Sequence, residues 1–172
     1  MAKTPNSVSA RRMKTEVEVT AAMVSALASL ITAESIDISQ VVVEWAQNSP
    51  PQRPVDKQPV QGDNYPILTQ DDGISETTFN VTILYTKGAD TLGTDTVDYY
   101  QDILRPTFHN ATPLSFPHVF SATGALGDYE YTTHSTETFI TACPDPVGGA
   151  NSEKIKLTYT IETSRVTDAV IT

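Results

Sequence analysis

The sequence predicts a sheet protein with two helices packed on it and long connecting loops. Three observations carry that expectation. In the last segment Ile155, Leu157, Tyr159 and Ile161 alternate with Lys156, Thr158, Thr160 and Glu162, and a period of two gives a strand one apolar and one polar face. An earlier stretch repeats the pattern, with Phe79, Val81, Ile83 and Tyr85 set against Thr78, Asn80 and Thr82. The eleven prolines fall mostly between such periodic segments, where a fixed φ and a missing N–H do least harm. A chain of 172 residues with 39% hydrophobic side chains suits one domain with a substantial core rather than two ordinary ones.

Taken in order, residues 1–14 form a basic arm whose only charges are Lys3, Arg11, Arg12 and Lys14. Residues 15–172 form a single domain, which carries 7 basic against 21 acidic side chains, a net of −14. So acidic a body is unsuited to wrapping duplex nucleic acid, because phosphate binding needs cations that displace condensed counterions. A surface that must let DNA pass without holding it should itself be polar or negative. Thr15 to Val19 reads as a short strand, and Thr20 is placed to cap a helix over about 21–33. Met23, Ala26, Leu27, Leu30 and Ile31 fall at helical spacing there. The basic start followed by this apolar run has the outline of a secretory signal, but Glu16 and Glu18 interrupt the junction, and an amphipathic helix on a sheet fits better. No run approaches the eighteen apolar residues of a membrane span, so a soluble chain is expected.

Ile36 to Trp45 reads as one strand through Val41, Val42 and Val43. From about 46 to 75 the pattern breaks, with prolines at 50, 51, 54, 59 and 66. Loops of this length are usually either functional or free linkers, and this one keeps several apolar side chains, which favours the first. It is expected to order against a neighbouring subunit, with Arg53, Val55, Asp56, Lys57, Val60 and Tyr65 as contact candidates. Glu76 to Thr86 is the clearest strand of the first half. A turn follows, then a short helix over DTVDYYQDIL, capped by Asp95 or Thr96, with Val97, Tyr100 and Leu104 on one side and Pro106 at its end. The stretch 105–120 is expected to be irregular and anchored by Phe108, Leu114, Phe116, Val119 and Phe120. A Gly-rich turn, a Thr-rich strand, a Pro/Gly break and the final strand complete the chain.

Catalytic chemistry finds no support. His109, His118 and His134 lie nine and sixteen residues apart, without the short pairing common in metal sites, and read as ordinary surface or turn histidines. The acidic pairs Asp71 with Asp72 and Asp128 with Glu130 do not follow the spaced oxygen ligands of an EF-hand. Cys143, the only cysteine, has no activating neighbour in sequence and reads as a buried thiol. There is no GxSxG, phosphate-binding glycine loop or paired cysteine. No catalytic residue, metal site or cofactor is assigned, and the chain is not expected to be an enzyme.

The order of elements from Glu76 onward resembles the major tail proteins that build the tail tube of long-tailed, siphovirus-like bacteriophages. The resemblance is carried by TTFNVTILYTKG, by TVDYYQDIL, and by GALGDYEYTTHSTETFITACPDPVGG with KIKLTYTIETSRVT, somewhat over half the chain. It implies a mainly β (α+β) fold of two packed antiparallel sheets with a flanking short helix and long loop arms. It further implies hexameric rings stacked into a tube that conducts DNA into the host. Implied partners are other copies of the chain, a tape-measure protein, other tail proteins and DNA in transient, non-specific passage, with no membrane. The place would be the tail of a virion assembled in the host cytoplasm. On this reading Thr78, Asn80, Thr82, Lys156, Thr158, Thr160 and Glu162 are candidates to face the lumen. A capsid decoration protein, a tail terminator and a secreted carbohydrate-binding or adhesin β-sandwich are the alternatives. The scarcity of aromatics, 8% with one tryptophan, speaks against the last.

Overall fold

The computed structural model describes residues 13–27, 35–58, 67–70, 73–85, 90–92, 95–146 and 155–172. Its elements in chain order are β1 (Lys14–Glu18), α1 (Ala21–Ala26), β2 (Ser35–Asp37), β3 (Val42–Ser49), β4 (Val55–Gln58), β5 (Ile67–Gln70), β6 (Thr77–Leu84), β7 (Asp90–Leu92) and β8 (Asp95–Val97). A π-helical turn, Tyr99–Leu104, then runs into α2 (Arg105–Phe108). There follow β9 (His118–Ser121), β10 (Tyr129–Thr133), β11 (Thr138–Ala142), β12 (Lys156–Thr163) and β13 (Val166–Val170). The strands make a five-stranded sheet in the order β13-β10-β9-β1-β2 and a four-stranded sheet in the order β11-β12-β6-β3. Two separate ladders, β4-β5 and β7-β8, complete the set, and all pairings are antiparallel.

The two larger sheets face each other across one core. The four-stranded sheet contributes Phe79, Val81 and Ile83 from β6 and Leu157, Tyr159 and Ile161 from β12, and the five-stranded sheet contributes Val17 and Ile36. Met23 and Leu27 enter from α1, and Tyr99, Tyr100, Ile103 and Leu104 from the π-helical turn. Full burial of one such side chain stabilises the fold by about 1.5–3 kcal/mol. Trp45 of β3 bridges the sheets. Its ring stacks on Phe120 of β9 at 4.8 Å, meets Phe79 edge-on at 5.8 Å, and its indole N–H donates to Thr15 Oγ1 at 3.1 Å. In the Gly-rich turn Gly124 has φ +69°, and a Cβ there would lie 2.8 Å from Lys14 Cδ, so both conformation and space require glycine.

The alternation expected for the two long strands is observed, with Phe79, Val81 and Ile83 and with Leu157, Tyr159 and Ile161 inward. Thr20 caps α1 as expected, its hydroxyl accepting from Met23 N at 3.2 Å. Several boundaries differ. The helix expected over about 21–33 ends at Ala26, where Leu27 caps it with its N–H on Met23 O, and residues 28–34 lie outside the described residues. The strand expected over Ile36 to Trp45 is two strands in different sheets. Asp37 accepts from the N–H and the hydroxyl of Ser39, and this turn carries the chain from one sheet to the other. The loop expected over about 46–75 begins only after Ser49 and contains the β4-β5 ladder.

The helix expected over DTVDYYQDIL opens instead as strand β8, and the cap is Asp98 rather than Asp95 or Thr96. Asp98 Oδ1 accepts from Gln101 N at 3.0 Å, while Asp102 Oδ2 accepts from Asp98 N at 2.8 Å. The wider π turn brings the adjacent Tyr99 and Tyr100 both inward. Pro106 does not end the helix. It is the second residue of α2, and the chain stays helical through it from the π turn to Phe108. Within the stretch expected to be irregular, Leu114, Phe116 and Val119 are buried as anchors and β9 begins at His118.

Candidate functional site

The pairing of β6 with β12 assembles the outward face of the four-stranded sheet. Its register sets Thr158 opposite Thr82, Thr160 opposite Asn80, Glu162 opposite Thr78 and Lys156 opposite Leu84. All seven residues expected to face a lumen therefore share one surface, away from the core. Their polar groups answer one another. The Thr82 and Thr158 hydroxyls lie 2.9 Å apart, and the Thr160 hydroxyl donates to Asn80 Oδ1 at 2.9 Å. The neighbouring strands widen this face with residues not picked out from the sequence. Glu44 and Ala46 of β3 pair with Thr82 and Asn80, and Phe139 of β11 pairs with Glu162. Inward placement of Trp45 would have signalled Glu44, since neighbours on a strand point to opposite faces. The face thus carries Lys156, Glu44 and Glu162 among hydroxyls, one amide and the apolar Ala46 and Phe139.

The β4-β5 arm holds the expected contact residues in the open. Arg53, Val55, Asp56 and Lys57 are all exposed, while Val60 and Tyr65 lie outside the described residues. The root of the arm is pinned by two hydrogen bonds of 2.9 Å, from Ser75 N to Gln52 O and from Gln52 N to Ser75 Oγ. Beside the root, an open cleft of about 650 Å3 enters the molecule between the two larger sheets. Trp45 and Phe79 form one wall, Phe120, Tyr131 and Val166 the other, with Arg165 and Asp168 also lining it.

His118, expected at the surface or in a turn, is instead fully buried. Its Nδ1 lies 2.8 Å from Phe116 O. A carbonyl only accepts, so Nδ1 carries the proton and Nε2 accepts from the Tyr159 hydroxyl at 2.8 Å. Tyr159 in turn accepts from the Tyr99 hydroxyl at 3.0 Å. Burial holds the imidazole pKa down to about 4, against which the Phe116 bond acts only weakly. Burial also raises the Tyr159 and Tyr99 hydroxyls well above the ordinary tyrosine range. This constellation is neutral, and none of its members is prepared for acid–base work near neutral pH. Cys143 is half-buried, and burial followed by the nearby Asp145 pushes its thiol up to about 11, away from thiolate chemistry. Among the described residues no group of three His, Cys, Asp or Glu side chains is placed to hold a metal ion. No described helix is long and apolar enough to cross a membrane.

No family model and no curated protein matches the chain. Solved structures do. A chain of the PVC sheath–tube complex of an extracellular contractile injection system, in the extended state, aligns over 96% of this chain and 93% of its own, with 10% identity and a TM-score of 0.63. A chain of the sheath/tube terminator of the PVC system aligns over 99% and 100%, with 11% identity and a TM-score of 0.62. A chain of the tube-terminating cap of the anti-feeding prophage aligns over 99% and 95%, with 11% identity and a TM-score of 0.60. At such identities the likeness is one of fold, and it spans nearly the whole chain. The chain has the β-sandwich of tail-tube-like proteins. The PVC neighbours belong to an extracellular contractile injection system, so the likeness does not single out siphovirus-like tails.

Proposed function

We propose that this chain is a structural tail protein whose copies close into hexameric rings that stack as a tube, with the outward face of the four-stranded sheet lining the lumen. One observation carries the reading: seven residues drawn from two distant segments fall on a single polar face of that sheet. The sheet has lateral edges at β11 and β3, and ring closure joins such edges between copies, relieving the hazard of unpaired strands. The wall is suited to passage. Its hydroxyls bond to one another, its cation Lys156 is outnumbered by Glu44 and Glu162, and DNA phosphates meet little that would hold them. Arm contacts between copies add to the assembly. The tape-measure protein and other tail components are its further partners, the tail of a phage-like particle is its place, and it performs no catalysis. The comparable likeness to a tube terminator supports a second reading, a tail terminator.

Negative-stain electron microscopy across a concentration series tests the choice. A tube subunit gives hollow, growing tubes, a terminator gives single rings, and trimers or filaments without a channel refute both. The lumen assignment has its own test in the Thr158→Lys, Thr160→Lys double variant. Assembly should persist while DNA delivery falls several-fold, and unaltered delivery from particles shown to contain both lysines would move the lumen to another face.

A further inference from the structure

We infer that the aromatic cleft between the two sheets of one copy receives the β4-β5 arm of a neighbouring copy, with Val55 and Leu68 entering it and Lys57 meeting Asp168 at its wall. The inference rests on the assembly reading above and adds to it the receiving surface.

The arm lacks support of its own. An isolated two-stranded ladder is marginal in water, yet every residue of β4 is exposed, and Val55 and Leu68 are 46% and 61% exposed. Val55 pairs with Gln70 and Lys57 with Leu68, which puts these four residues on one face of the ladder and makes Val55 and Leu68 diagonal neighbours. Burial of this exposed apolar pair against a neighbouring copy would stabilise the contact. The cleft offers what that face lacks. Its walls are Trp45, Phe79, Phe120 and Tyr131, its volume of about 650 Å3 exceeds what a valine and a leucine side chain fill, and it is open to solvent.

Charge agrees with shape. Asp168 pairs across the strands with Tyr131, so the two share the face that borders the cleft, and both line it. Lys57, on the same arm face as the two apolar residues, is the cation placed to meet it. Connectivity speaks against self-occupation. Pro51, Ile74 and Ser75 at the root of the arm already line the chain's own cleft, and the Gln52–Ser75 bonds fix the direction in which the arm leaves. Donor and receiver are thus different surfaces of one chain, which permits the head-to-tail arrangement that generates rings or stacks.

Disulfide trapping in the full chain tests this. With Cys143→Ala as background, one preparation carries Leu68→Cys and another Asp168→Cys. The two are mixed, assembled and oxidised, with particles followed by electron microscopy. The expected result is a covalent mixed dimer within rings, and none when Thr158→Cys on the polar face replaces Asp168→Cys. Rings without the cross-link overturn the cleft and leave the tube reading standing, whereas the cross-link without rings upholds the cleft and counts against the tube. Neither rings nor cross-link overturns both. Cross-linking within a single dilute chain that carries both cysteines also overturns the inference. Lys57→Asp should weaken assembly about threefold, as a partly exposed ion pair does, and Asp168→Lys in the same chain should restore it. Absence of that rescue removes the Lys57–Asp168 contact.

Discussion

In the four-stranded sheet every second residue of β6 and β12 is buried, and hydroxyls on the reverse face bond across the strands. In the β4-β5 arm no described side chain is buried, and the ladder is held to the body at the Gln52–Ser75 root. Both are antiparallel ladders of ordinary β residues. The difference lies in what stands behind them: the sheet has a second sheet to bury against, and the arm has solvent. Secondary structure alone therefore does not mark the stable part of this molecule.

The comparison breaks most sharply in the core. Ile161→Ala should lower unfolding stability by about 2–5 kcal/mol, while Leu68→Ala in the arm should change it by less than about 0.5 kcal/mol and yet weaken assembly. Chemical denaturation of both variants, with sedimentation to follow assembly, checks the pair, and equal losses of stability would show that the arm belongs to the core. Acid should come next. Folded His118 takes up its proton only near pH 4, against 6.5 for an ordinary histidine, so between these values the unfolded chain alone is protonated there. The His118 contribution is complete above pH 6.5 and is lost as pH falls toward 4, about 3 kcal/mol in all. Denaturation midpoints at pH 7 and pH 4 should converge in His118→Gln relative to the parent chain. A smaller effect than at Ile161 or His118 is expected at Thr107, whose buried hydroxyl has no hydrogen-bond partner among the described residues. Thr107→Val should raise stability by about 1 kcal/mol, and a loss would indicate that the hydroxyl is satisfied by water.

What was legible in the sequence was whatever one face of one element encodes. Strict alternation at 77–84 and 156–163 revealed both central strands and the surface they share, because a half-buried strand writes its environment at every second residue. The arm appeared only as a break in that rhythm, since a ladder exposed on both faces has no alternation to display. Ile36 to Trp45 looked continuous because Ile36, Ile38, Val41 and Trp45 are all apolar. The turn between the sheets depends on Asp37 and Ser39, two small polar residues that a hydropathy pattern passes over. His118 was missed for a related reason. Its burial follows from Tyr159 and Trp45, forty-one and seventy-three residues away in sequence, and no local spacing announces such a pairing.

The Tyr99–Tyr159–His118 relay joins the π-helical turn, the four-stranded sheet and the five-stranded sheet, and one backbone oxygen, that of Phe116, dictates the orientation of every proton in it. Apolar packing is non-directional, but a donor facing a donor inside a protein does not persist. The relay therefore acts as a checksum on the fold. Three separately formed pieces agree on one proton pattern only in the native register, so its service to the molecule is uniqueness more than strength.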